Sequence, residues 1–154
     1  MAKEIKNSLN GSGLKIAIAV ARFNEVVTDK LLEGALRQLE LLGVAEKDVT
    51  VVRVPGAFEL PGVCRRLADS KKYSAVMAIG AVIRGETSHY DVVVNASTGG
   101  VASIAAEGKL PVILGILTTD TVDQAMNRAG LKAGNLSANW ASTAVEMANL
   151  YKVI

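Results

Sequence analysis

At 154 residues the chain has the size of one domain, large enough to bury about 68–70% of the surface its unfolded form exposes. Half of it is hydrophobic but only 4% is aromatic, so the apolar mass is Ala, Val, Ile and Leu, and no uninterrupted apolar stretch approaches the ~18 residues that span a bilayer. Seventeen basic residues against fifteen acidic ones give a formal net charge of +2, too balanced for a nucleic-acid footprint, and a mean hydropathy of +0.31 points instead to aliphatic surface buried between copies of the chain.

Residues Met1 to Gly13 are polar and loop-like and read as an N-terminal arm, with residues 14–154 as the domain. The arm has no apolar segment of the signal-peptide kind, which places the chain in the cytoplasm, or in an organelle stroma if a transit peptide was removed. Leu14 to Ala21 predicts a short buried strand, and Arg22-Phe23-Asn24-Glu25 puts an aromatic ring at its carboxyl end. A helix follows over about 26–42, with Leu31, Leu32, Ala35, Leu36, Leu39 and Leu42 as its apolar stripe and Gly43 as its stop. Val49 to Val54 reads as a second core strand, closed by Pro55-Gly56. Ala57-Phe58-Glu59-Leu60-Pro61 then opens a helix through about Ser70, with Leu60, Val63, Cys64 and Leu67 inward. Cys64 is the one cysteine, which excludes an intramolecular disulfide, and its apolar stripe predicts a buried, inert thiol.

The run Ala75 to Ile83 carries the pattern of a strand buried on both faces. Arg84-Gly85-Glu86-Thr87 breaks it, and Thr87 or Ser88 with Asp91 suggests a capped helix start of the capping-box kind. The helix runs from Ser88 to about Glu107 although Val92-Val93-Val94 and Gly99-Gly100 are poor helix formers, and its small residues let another element approach closely. Leu110 to Leu117 is the last strand. Thr118 to Thr121 caps a short helix ending near Gly130, and a final helix spans about 136–150 with Ala138, Ala141, Ala144 and Ala148 on one face. Strand and helix alternate about four times, the pattern of a parallel sheet with helices on both faces, in which ligands sit beyond the carboxyl ends of the strands.

At the end of the third strand the unpaired amides of Gly85 through His89, together with the positive end of the helix dipole, form an anion site. The same dipole disfavours a second positive charge on His89, the one histidine, leaving its ring able to accept a proton. Gly80-Ala-Val-Ile-Arg-Gly85 is neither a dinucleotide fingerprint nor a P-loop, no Gly-x-Ser-x-Gly elbow exists, and one histidine and one cysteine far apart give no metal-ligand cluster. Nucleotide cofactors and metals are therefore not expected. Taken singly, Phe23 and Phe58 read first as core rings, while Glu59 reads as well as a helix-start carboxylate and Arg128 as a solvated helix-end cation.

Taken together, Ala21-Arg-Phe-Asn24, Val54-Pro-Gly-Ala-Phe-Glu-Leu60, Ala78-Ile-Gly-Ala-Val-Ile-Arg-Gly-Glu-Thr-Ser-His-Tyr90, Asn127-Arg-Ala-Gly130 and Val145-Glu-Met-Ala-Asn-Leu150 resemble lumazine synthases in order and spacing over nearly the whole chain. The resemblance implies a single-domain three-layer α/β/α sandwich of flavodoxin-like type. It implies a transferase without cofactor that condenses 5-amino-6-(D-ribitylamino)uracil with 3,4-dihydroxy-2-butanone 4-phosphate to 6,7-dimethyl-8-ribityllumazine, phosphate and water, the penultimate step of riboflavin biosynthesis. It also implies pentamers, often twelve of them in a 60-subunit icosahedral shell, with sites shared between neighbours, and riboflavin synthase as a further partner; nucleic acid and membrane are not among the expected partners.

Carried over by position, Phe23 stacks on the pyrimidine, Ala57, Phe58 and Glu59 hold the ribityl chain, and Ala81, Val82 and Ile83 present backbone to the uracil edge. Gly85, Glu86 and Thr87 cradle the phosphate, Arg128 reaches it from the neighbouring subunit, and His89 transfers protons. This sequence departs from the family's pattern at three places: Leu136 stands where a lysine is usual, Asn139 where a glutamate is usual, and Leu114 where a phenylalanine borders the neighbour's pocket. These departures keep open a weakened homologue that forms a shell or holds flavin or lumazine.

Overall fold

The computed structural model describes residues 1–132 and 134–154. Four strands, β1 (Ile16–Ala21), β2 (Val49–Val54), β3 (Ala75–Ile83) and β4 (Val112–Thr119), form one parallel sheet in the order β2-β1-β3-β4. Helices α1 (Glu25–Leu41), α2 (Leu60–Asp69), α3 (His89–Ala106), α4 (Val122–Arg128) and α5 (Leu136–Tyr151) complete the fold. The chain winds outward from β1 to β2 and then returns across β1 to β3, so the order reverses between β1 and β3, the place where open α/β sheets leave a ligand crevice.

Alternation along the strands divides the core in two. Ile16, Ile18 and Val20 of β1 and Met77 and Ile79 of β3 face α1 and α5, packing against Leu31, Leu39, Ala141 and Val145. Ala17, Ala19, Val76 and Ala78 face α2 and α3, packing against Leu60, Cys64 and Val101. β1 is buried along its whole length, so burial at about 25 cal/mol per Å² of apolar surface makes a polar substitution there costly. The poor helix formers of α3 have a packing reason at Gly100, where a Cβ would lie 2.7 Å from the Pro61 ring of α2. Ser97 and Thr98 turn their hydroxyls back onto the Val93 and Val94 carbonyls, each at 2.6 Å, which hides two polar groups inside the helix.

Several expectations need correction. β2 is an edge strand, not a core strand: it pairs with β1 alone and leaves Thr50 and Val51 exposed. Leu36 falls outside the buried stripe of α1. β1 begins at Ile16 because Ser74 takes over at Lys15, whose N–H donates to the Ser74 hydroxyl while the Ser74 N–H donates to the Lys15 carbonyl. β4 lies two residues later than expected because its ladder follows β3 to the end, Ile83 opposite Thr119. No capping box forms at α3; the one at α4 joins Thr121 and Gln124. Residues 7–10 of the N-terminal segment lie along α5 of their own chain: Asn7 donates to Glu146, and Asn149 donates to the Ser8 and Asn10 carbonyls.

Candidate active site

A cavity of about 460 Å³ opens at the switch point, and every wall comes from the carboxyl end of a strand or the helix start that follows it. The first wall is set by an extension of the β1–β2 ladder: Arg22 N–H donates to the Val54 carbonyl at 2.8 Å and Phe23 N–H to the Pro55 carbonyl at 3.0 Å. This holds the Phe23 Cβ beside Gly56. The tight turn of 57–59 then turns Phe58 and Glu59 to the same space, with a carboxylate oxygen of Glu59 close over Gly56. Phe23 and Phe58 are 71% and 63% exposed, so neither is the core ring that each could have been when read alone. Ala81, Val82 and Ile83 of β3 form the floor, and Gly85, Thr87 and His89 stand at the rim.

Ten residues singled out from the sequence thus meet at one cavity: Phe23, Ala57, Phe58, Glu59, Ala81, Val82, Ile83, Gly85, Thr87 and His89. Glu86 lies in the same turn but does not line it. Leu114, exposed on β4, and Arg128, at the end of α4 with its guanidinium donating to the Gln124 carbonyl at 3.0 Å, are outside this chain's own cavity. Sequence reasoning missed Asn24, Pro55, Gly56, Tyr90 and Val93 as lining residues. Their signal was adjacency to Phe23, Ala57 and His89, and for Val93 the i, i+4 spacing from His89 on α3.

The turn before α3 differs in detail from the sequence reading. Ser88 is the N-cap but its side chain accepts nothing, and the Thr87 hydroxyl accepts from the His89 N–H across a long 3.3 Å. Among the described residues no group accepts from the amides of Gly85, Glu86, Thr87 and Ser88. Asp91 turns to Arg84 rather than to a cap. A hydrogen bond to Asp120 holds the Arg84 guanidinium above its ordinary pKa, against some desolvation and with the charge of Asp91 adding. Among the described residues no group of three or more His, Cys, Asp or Glu side chains is placed to hold a metal ion, and no helix is long and apolar enough to cross a membrane.

Apolar walls with few polar groups, an imidazole and amides open to an anion mark an α/β enzyme of small-molecule chemistry. The family model described as 6,7-dimethyl-8-ribityllumazine synthase matches residues 13–152. The chain is 51% identical over 150 residues to the 6,7-dimethyl-8-ribityllumazine synthase of Desulfotalea psychrophila, with 97% of each chain covered. It belongs to the 6,7-dimethyl-8-ribityllumazine synthase family, transferases of riboflavin biosynthesis.

Proposed function

We propose that this chain condenses 5-amino-6-(D-ribitylamino)uracil with 3,4-dihydroxy-2-butanone 4-phosphate at the switch-point cavity, and that four consecutive amides with no acceptor among the described residues, next to the one imidazole, carry that reading. The pyrimidine stacks on the exposed Phe23 ring, an offset contact that aromatics favour. Its edge meets the backbone of Ala81, Val82 and Ile83, and Ala57, Phe58 and Glu59 hold the ribityl hydroxyls. The phosphate of the second reactant lies on the Gly85–Thr87 turn, where backbone N–H groups and the start of α3 favour an anion. His89 moves protons as the amine attacks the ketone, a first water and phosphate leave, and the second ring closes with loss of a second water. Holding two reactants in register supplies much of the acceleration.

Arg128 and Leu114 act on a neighbour's cavity, which fits their placement away from their own. Phe23, Val26, Phe58, Leu114, Val122 and Leu131 are all exposed in a single copy, apolar side chains that a pentamer or larger assembly would cover. The cytoplasm is the compartment this reading favours. The test is formation of the lumazine chromophore by the wild-type protein and by His89→Ala. The expected result is a rate well above buffer alone, lowered about 10²-fold or more by the substitution if proton transfer dominates and less if positioning does. A wild-type rate equal to that of buffer alone overturns the proposal in favour of a shell or a product-binding protein.

A further inference from the structure

Arg84 grips the turn that bears the free amides from both sides. Its backbone N–H donates to the Thr119 carbonyl at 2.8 Å, tying the start of the turn to the end of β4. Its Nε donates to the Asp120 carboxylate at 2.8 Å, and its guanidinium carbon lies 4.2 Å from the centre of the Tyr90 ring, just past the turn. A terminal nitrogen is 3.8 Å from Asp91, one residue further along α3. A residue before the turn therefore holds the two residues that follow His89. The grip continues into α4, because the Asp120 N–H donates to the Gln124 side chain at 2.8 Å and the Gln124 carbonyl receives Arg128.

From this geometry we infer that Arg84, anchored by Asp120, is the positioning residue of the anion cradle, fixing the span between the Gly85–Ser88 amides and His89. The inference rests on the reading that the turn receives the phosphate. Arg84 does not line the cavity, and its Nε is committed to Asp120 and its face to Tyr90, so the role left to it is to act on the turn's shape. Nor is the contact an ordinary stabilising ion pair. Both side chains are about half exposed or more, a setting in which such pairs contribute little to stability, so what remains for it is geometry.

The experiment compares Arg84→Ala, Arg84→Lys and Asp120→Asn with the assembled wild-type protein. It measures the KM of each reactant, inhibition by inorganic phosphate, and the thermal midpoint. Arg84→Ala is expected to raise the KM of the phosphate reactant and the inhibition constant of inorganic phosphate about tenfold, since a cradle must hold its geometry within ~0.5 Å. The pyrimidine KM stays within about twofold and the midpoint moves little. Arg84→Lys recovers little, because a lysine lacks the planar fork that meets Asp120 and Tyr90 together. Asp120→Asn gives the same one-sided shift at smaller size. Equal rises in both KM values, no rise in either, or full recovery by lysine overturns the inference. A wild-type protein that inorganic phosphate does not inhibit overturns the underlying reading of the turn, whereas inhibition that is unchanged in Arg84→Ala overturns this inference alone.

Discussion

Asn24 donates its side-chain amide to the Ala81 carbonyl across 2.8 Å, and it does so from the left-handed backbone region, at φ 62°. β1 ends at Ala21 and its pairing with β3 stops at Val20 opposite Ile79, so Ala81 lies beyond the reach of the ladder. The asparagine side chain supplies the missing donor, and in doing so ties the Phe23 wall to the β3 floor of the cavity.

Asn24→Gly and Asn24→Ala separate the two features of that residue. Both remove the donor and leave the Ala81 carbonyl short of a partner, a loss of about 1–3 kcal/mol. Only alanine adds the cost of the left-handed conformation, about 1 kcal/mol more. Denaturant unfolding at fixed protein concentration is expected to rank wild type above glycine and glycine above alanine. Equal stability of the two variants contradicts the backbone part, and a glycine variant as stable as wild type contradicts the hydrogen bond.

Gly115 of β4 meets the Trp140 ring of α5 so closely that an added Cβ would lie 2.7 Å from a ring carbon and 2.9 Å from the Ala78 carbonyl oxygen. The ring can shift, but the strand backbone cannot without disturbing the β3–β4 ladder. Gly115→Ala is expected to cost about 1–3 kcal/mol as overpacking, and Trp140→Ala to relieve part of it in the double variant. Strict additivity of the two in unfolding measurements would show that they do not share the space.

The parts of the fold that could be read from the sequence are those where burial leaves a period. β1 and β3 are continuous apolar runs because they are covered on both faces, and their carboxyl ends located the cavity. The edge position of β2 was hidden because Val49–Val54 is nearly as apolar as a central strand, and only pairing reveals that, among the described residues, no strand of this chain lies beyond it. Ser88 and Asp91 have the spacing of a capping box, yet Arg84 takes Asp91 instead, a tertiary contact that overrides a local motif. The Arg84–Asp120 pair spans 36 residues and the Asn24–Ala81 bond 57, distances at which no local spacing rule applies. Phe23 and Phe58 found their place through the resemblance, since an exposed ring and a core ring look alike in a sequence.

Burial pushes the Cys64 thiol up to about 12. The native value lies above the unfolded one of about 8.5, so folding favours the neutral thiol; its contribution is complete below pH ~8.5 and declines as pH rises towards 12. Unfolding free energy is expected to fall across that window by up to about 1.4 kcal/mol per pH unit, and Cys64→Ala to lack that component. In the native protein the thiol should resist a thiol reagent at pH 8 and react with one equivalent after denaturation. Rapid native labelling, or matching pH profiles for wild type and Cys64→Ala, would contradict the burial argument.

Leu136 opens α5 and packs partly against the core, at the position where the resemblance leads one to expect a lysine; Asn139, one turn on, is exposed. The phosphate group carries a charge of about −1.5 to −2. On the proposed function, without that lysine the charge would be left to the amides of residues 85–88 and to Arg128 of a neighbouring copy. A lysine at 136 can lay its stem along the same apolar surface and keep its ammonium in water, so the substitution need not disturb packing. Leu136→Lys is expected to lower the KM of the phosphate reactant about fivefold, equivalent to about 1 kcal/mol for a partly solvated pair, with the pyrimidine KM unchanged. The gain should shrink in high salt, since a solvated pair is screened over about 8 Å at physiological ionic strength. Steady-state kinetics in low and high salt decide the matter: no gain means that the anion needs no further cation from position 136, and a gain indifferent to salt means that the lysine does not act through a solvated charge.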